Sequence, residues 1–295
     1  MEFIHTPEER FLTLKDYPYK PNYQVFEGLR MHYTDEGSGE PLLCLHGEPT
    51  WGYLYRNFIK SLSHNYRVLV PDLIGFGKCD KPLRIKDYSY SLHFRSIQSL
   101  IESLNLREIT LVMHDWGGIT GLGLLGQYPH WFKRIIILNT FLPRGSGLPL
   151  PLWLWKKMSI ISPVFPVGLL MKIASYKACK NDPSIVYAYQ APFPTEKHKA
   201  GVHAFPRLLP DSPYHEAIPH MKEAGQVLKK WEKPAQVLFS TGDIFFRQYR
   251  DFFINLIPGV NKSLSPPIKK AGHFLQEDQG EEVIRLVKTF LYQNQ

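Results

Sequence analysis

From residue 23 onward, short apolar runs alternate with stretches in which apolar residues recur at helical spacing. "QVFEG" and "LRMHYTDEG" predict a hairpin. "PLLCLHG" reads as a buried strand ending in a loop at His46 and Gly47, and "WGYLYRNFIKSLS" follows it with helical periodicity. "YRVLVPDLIGFG" predicts a further strand and loop, with a helix over 92–104 behind it. Then come the strand "EITLVMHD", the helix "GGITGLGLLGQYP" and the strand "RIIILNT". Strand and helix in alternation predict an α/β fold, a mostly parallel sheet flanked by helices.

After Leu142 the texture changes. Residues 143–220 are rich in proline and aromatic residues and hold no alternating strand, which predicts a helical cap inserted into the sheet domain. Alternation resumes with "PAQVLFSTGD", a helix over 248–256, a strand over 263–269 and a final amphipathic helix, "EEVIRLVKTFLYQ". The expected organisation is a core in two pieces, 1–142 and 221–295, around a cap at 143–220. The apolar stretch 148–171, with Trp153, Trp155 and two adjacent lysines, has a second reading as a membrane-surface segment. Its prolines at 149, 151, 163 and 166 break any long amphipathic helix, so a cap roofing an apolar cavity is preferred.

Composition narrows the class. A chain of 295 residues, 44% apolar, suits one large core with an insertion, and its 14% aromatic content favours apolar pockets. The net charge of +8 comes from scattered residues whose longest runs are doublets, which argues against nucleic acid as a partner. Three cysteines without a C-x-x-C pair indicate neither a disulfide framework nor a metal site. The amino terminus lacks an apolar signal core and no run of 18 uncharged apolar residues occurs, so a cytoplasmic protein without stable membrane insertion is expected.

In open parallel sheets, ligands sit beyond the carboxyl ends of the strands. Asp115, in "LVMHDWGGITG", Asp243, after "VLFSTG", and His273, in "KKAGHFLQED", all fall at such ends. A strand, a nucleophile and a helix opening with glycines form a nucleophile elbow, and nucleophile, acid, histidine is the chain order of the α/β-hydrolases. Met113 departs from the small residue usual two positions before the nucleophile. Taken singly, each residue has a plainer reading: Asp115 as a helix N-cap, Asp243 as a turn residue, His273 as a core histidine. Together, in that order, they point to catalysis. A carboxylate beside the positive end of a helix dipole stays ionised and attacks sp³ carbon, giving an ester that water can open. Alkyl halides and epoxides both meet that description.

"LHGEPTWGYLYR", "VPDLIGFGKCDKP", "HDWGG", "YQAPFP" and "AGHFLQEDQGE" resemble the haloalkane dehalogenases, in particular their first subfamily, over nearly the whole chain including the cap. The resemblance implies an α/β-hydrolase fold without cofactor or metal, acting on a small apolar halogenated substrate with halide as product. It makes Asp115 the nucleophile, His273 the base and Asp243 the acid that orients the imidazole. Trp116 matches the first halide-stabilising tryptophan, and "LPLWLWKKM" offers Trp153 or Trp155 as the second, with the flanking register favouring Trp155. Indole N–H groups donate to a departing halide without themselves being alkylated. Glu48 matches the polar residue after His46 and Gly47; its backbone N–H and that of Trp116 would form the oxyanion hole, and its side chain would help hold water. Phe193 and Pro194 match residues lining the substrate pocket. His114 replaces a common glutamine and Ile244 a usual proline. Asp251 and Asp278 are rivals for the acid, the first on a predicted helix and the second close to His273 in sequence. An epoxide hydrolase, which uses cap tyrosines to protonate the opening ring, and a non-catalytic binder of the same fold are the competing expectations. Oligomeric state, a monomer or a weak dimer, is left open.

Overall fold

The computed structural model describes residues 1–162 and 164–295. Seven strands form the central sheet: β2 (Asn22–Phe26), β3 (Leu29–Glu36), β4 (Pro41–Leu45), β5 (Arg67–Pro71), β7 (Ile109–His114), β8 (Phe132–Leu138) and β9 (Ala235–Leu238). Two short strands, β1 (Phe3–Ile4) and β6 (Lys81–Pro82), pair separately. The sheet order is β2-β3-β5-β4-β7-β8-β9, antiparallel at β2, β3 and β5 and parallel from β5 through β9. The expected hairpin is β2 and β3, whose tight Glu27-Gly28 turn places both residues at positive φ. At the centre, all six residues of β7 are buried, because helices cover both faces of a parallel strand and leave no side for water.

Core helices α1 (Arg56–Leu62), α2 (Tyr90–Ser103) and α3 (Trp116–Gln127) follow β4, β5 and β7 in turn, as the sequence predicts. α2 begins at Ser89, whose side chain accepts the Leu92 N–H at 3.0 Å. Between β8 and β9 no strand occurs among the described residues. The chain instead forms α4 (Leu150–Ile161), α5 (Val167–Ala174), α6 (Ala178–Asn181), α7 (Pro183–Gln190) and α8 (Ala200–Ala204), of which α4 and α5 roof the cavity at the carboxyl ends of the strands. α9 (Ile218–Lys229) starts two residues before the expected end of this insertion and packs against α3. The chain closes with α10 (Tyr249–Leu256), α11 (Leu275–Asp278) and α12 (Gly280–Gln293), the last burying an apolar stripe from Val283 to Leu291.

One expected element is reduced. The strand predicted over 263–269 survives only as an isolated parallel bridge between Ser240 and Ile268. The Leu264 carbonyl accepts from the Gln236 side chain and Ser265 Oγ from the Val237 N–H, so side chains satisfy groups that a ladder would otherwise occupy.

The roof is anchored to the core by buried polar contacts. Arg56 of α1 makes a two-pronged pair with Glu277 of α11 at 2.5 and 2.8 Å, and Tyr189 of α7 donates to the same carboxylate. The Trp51 indole donates to the Ala188 carbonyl at 3.0 Å.

Candidate active site

Asp115 ends β7 and opens α3 with φ +52°, a left-handed conformation that costs a non-glycine residue free energy and marks a sharp strand-to-helix turn. The close approach is made possible by absent side chains. A Cβ on Gly117 would lie 2.6 Å from the His46 carbonyl oxygen, and one on Gly118 would meet Thr140 Cβ at 2.5 Å. Thr140 Oγ1 donates to the Asp115 carbonyl at 2.8 Å, and the Asp115 N–H donates to the Asn139 carbonyl at 3.1 Å. Met113, out of place for an elbow, points its thioether at Gly121, one turn into α3.

The Asp115 side chain does not cap α3. Its carboxylate faces His273 instead, with Nε2 at 3.8 Å from Oδ1, while Nδ1 of the same ring lies 2.9 Å from Asp243 Oδ2. Asp243 is fully buried, and its other oxygen accepts the N–H groups of Phe245 and Phe246 at 2.8 and 3.2 Å. Burial is the largest single influence on His273 and by itself would lower its pKa; the Asp243 and Asp115 carboxylates, through charge and hydrogen bonding together, outweigh it and lift the ring to about 10.

The His273 ring is fixed from behind as well. The His273 N–H donates to the Ala174 carbonyl, at the end of α5, at 2.7 Å. Its carbonyl accepts from Asn139 Nδ2 at 2.9 Å and from His114 Nε2 at 3.0 Å. His114 is buried, and that burial, reinforced by His273, holds its pKa well below the ordinary value, so the ring is neutral and carries its proton on Nε2. The histidine beside Asp115 therefore adds a hydrogen bond and no charge.

Asp115, Trp116, Glu48, Asp243 and His273 line one cavity of about 310 Å³, closed above by Leu152, Trp155, Met158, Leu170 and Ile173 of α4 and α5. Its remaining walls include Ile119, Phe141, Leu209, Phe245 and Phe246, and among the described residues no tyrosine lines it. Trp155 faces the cavity, whereas Trp153 is 45% exposed and does not line it. Glu48 is buried with Oε1 unpartnered; burial, then the Asp115 charge, raises its pKa well above the usual carboxylate range, which makes it a neutral acid. As the first residue of α3, Trp116 has a backbone N–H without a helical acceptor.

Two expected pocket residues lie elsewhere. Phe193 is buried against Phe76, centroids 6.0 Å apart, and Phe76 and Phe205 separate it from Trp116; Pro194 is exposed. The rivals for the acid are also placed outside. Asp251 is exposed and paired with Arg250, and the Asp278 carboxylate accepts the N–H groups of Tyr176, Lys177, Ala178 and Gly272. The aromatic wall of Phe245 and Phe246 was not anticipated, although a Phe pair two residues past a strand-end acid was a readable signal.

A strained carboxylate elbow, an imidazole between two acids and a helical roof define an enzyme of the α/β-hydrolase fold, and a family profile described as alpha/beta hydrolase fold matches residues 40–279. Within that fold, the chain belongs to the haloalkane dehalogenases. It is 40% identical to a haloalkane dehalogenase of Psychrobacter cryohalolentis, over 100% of this chain and 99% of the relative, and 42% identical to haloalkane dehalogenase 1 of Mycobacterium tuberculosis, over 96% of each. The solved haloalkane dehalogenase DpaA from Paraglaciecola agarilytica, described as tetrameric, superposes with a TM-score of 0.91 at 33% identity, over 99% of this chain and 98% of the other.

Proposed function

We infer that this chain hydrolyses carbon–halogen bonds of small apolar haloalkanes, releasing alcohol, halide and a proton. The observation that carries this reading is the ionisable pair of Asp115 and His273, 3.8 Å apart on the floor of an apolar, roofed cavity. In the first step an Asp115 oxygen attacks the halogen-bearing carbon; a C–O bond forms as the C–X bond breaks, and the electron pair leaves with the halide. The indole N–H groups of Trp116 and Trp155 stabilise that charge. In the second step His273, oriented by Asp243, takes a proton from water attacking the Asp115 carbonyl carbon. Backbone N–H groups of Glu48 and Trp116 stabilise the oxyanion; on collapse the bond to the alkyl oxygen breaks, His273 returns its proton to that oxygen to give the alcohol, and the Asp115 acid so formed releases its proton to solvent and is again a carboxylate.

A wall without tyrosine disfavours the epoxide reading, because no phenol is in place to protonate an opening ring. Three buried free cysteines suit a reducing, cytoplasmic setting. The test is bromide release from 1-bromobutane, with styrene oxide as comparison. Asp115→Ala should abolish release, and His273→Phe should give one burst and a mass gain on the peptide holding Asp115. Diol formation without bromide, or full turnover by Asp115→Ala, overturns the reading.

A further inference from the structure

The roof carries an apolar face that nothing among the described residues covers. Along α4, Leu150, Leu154, Met158 and Ile161 recur at helical spacing and are all exposed; on α5 the same holds for Leu169 and Ile173. Three residues that line the cavity also reach solvent: Met158 and Ile173, each 67% exposed, and Ile244, 60% exposed. They mark the mouth of the cavity, so the apolar face surrounds the entrance to the site.

The charge around this face is one-sided. Residues 143–200 hold eight Lys and Arg against two acids, so this segment accounts for six of the chain's eight net positive charges. Lys156 and Lys199 are neutralised by Asp211 and Glu196. Lys157 and Lys172 are exposed on α4 and α5 beside the apolar positions, and the Lys157 ammonium lies over the exposed Trp153 ring. Among the described residues no helix is long and apolar enough to cross a membrane, so any contact with lipid lies in the plane of its surface.

We propose that α4 and α5 dock this protein reversibly on an anionic phospholipid surface, with the cavity mouth turned toward the acyl chains. Leu150, Leu154, Ile161 and Leu169 enter the headgroup boundary, Trp153 sits at its level, and Lys157 and Lys172 face lipid phosphates. Each lysine near such a surface strengthens binding about fivefold at low salt. A second copy of the chain fits the face less well, because it would bring two segments of like charge together. The docking stands independently of the chemistry assigned to Asp115. Its consequence for that chemistry is direct: an apolar substrate dissolved in lipid reaches the mouth without crossing water.

The test is co-sedimentation of the full chain with vesicles of pure phosphatidylcholine and with vesicles containing about one third phosphatidylglycerol, at low and at physiological salt. The expected result is binding to the anionic vesicles only, weakened by salt, and reduced at least tenfold in Leu154→Ser/Ile161→Ser and in Lys157→Glu/Lys172→Glu. None of these four residues is one to which a catalytic role or a place in the cavity wall is assigned, so bromide release from a water-soluble haloalkane should be unchanged, which also reports that the variants fold. Failure of the wild-type chain to bind anionic vesicles overturns the proposal. So does equal binding by the variants, or their conversion of a dimer to a monomer without effect on vesicles, which would assign the face to a second copy.

Discussion

Gly47 faces the carboxylate of Asp115 so closely that a Cβ on the glycine would lie 2.6 Å from Asp115 Cγ and 2.8 Å from Oδ1. The Asp115 carboxylate thus keeps its position because the loop after β4 has no side chain there. Gly47→Ala must displace the carboxylate or the loop. We expect kcat for bromide release to fall by about 100-fold, the cost of misplacing a reacting atom by roughly 1 Å. The fold should survive, with circular dichroism like wild type; unchanged kcat would show that the elbow tolerates the shift.

His273 provides a pH signature. Its folded pKa, about 10, stands above the ordinary 6.5, so the charged ring contributes stability that is complete below about pH 6.5 and is lost as pH rises through 10. Thermal unfolding midpoints should therefore decline across that window more steeply in wild type than in His273→Gln. Alkylation of Asp115 removes one of the two negative charges holding the proton. The ester-hydrolysis step should accordingly show an apparent pKa below that of the resting imidazole, measurable by quenched-flow decay of the adduct against NMR titration of the free enzyme. Equal values would mean that Asp115 does not influence the ring.

Glu48 is buried with an unpartnered oxygen and is held neutral. Glu48→Gln preserves size and neutrality and should change kcat/KM by less than about threefold, or under roughly 1 kcal/mol. Glu48→Ala opens space beside the nucleophile and should cost more. A large loss in Glu48→Gln alone would show that the carboxyl proton takes part in the reaction.

Trp155 and Trp153 differ by two positions and by what they face. Trp155→Phe should lower halide release at least about tenfold through loss of one donor to the leaving group, and Trp153→Phe should leave release of a water-soluble substrate unchanged. Phe193→Leu should leave KM unaltered and destabilise the fold by about 1–3 kcal/mol, as expected for a core ring outside the cavity. A raised KM would return Phe193 to the pocket wall.

The strands and the strand-end residues were legible because their determinants are local. A continuous apolar run such as β7 specifies a covered strand by itself, and the glycines after Asp115 specify the elbow. Pocket walls are set by how helices rotate over the sheet, which local pattern does not encode. Phe193 and Phe245 are both aromatic residues near loops, yet the ring of Phe76 separates one from the site while the backbone turn at Asp243 delivers the other into it. The strand expected over 263–269 failed for a related reason: the Leu264 carbonyl is met by the Gln236 side chain, and the Ser265 hydroxyl takes the Val237 N–H that a ladder would have used.

The Ala174 carbonyl that grips the His273 N–H belongs to the roof, and the Asp278 carboxylate ties residues 176–178 to Gly272 in the same place. The helices over the cavity are thereby fastened to the loop that carries His273. Lifting them as a hinged cover would pull that ring away from Asp243 and Asp115. Traffic in and out then runs past the exposed side chains at the rim, Met158, Ile173 and Ile244, whose bulk sets the width of the passage.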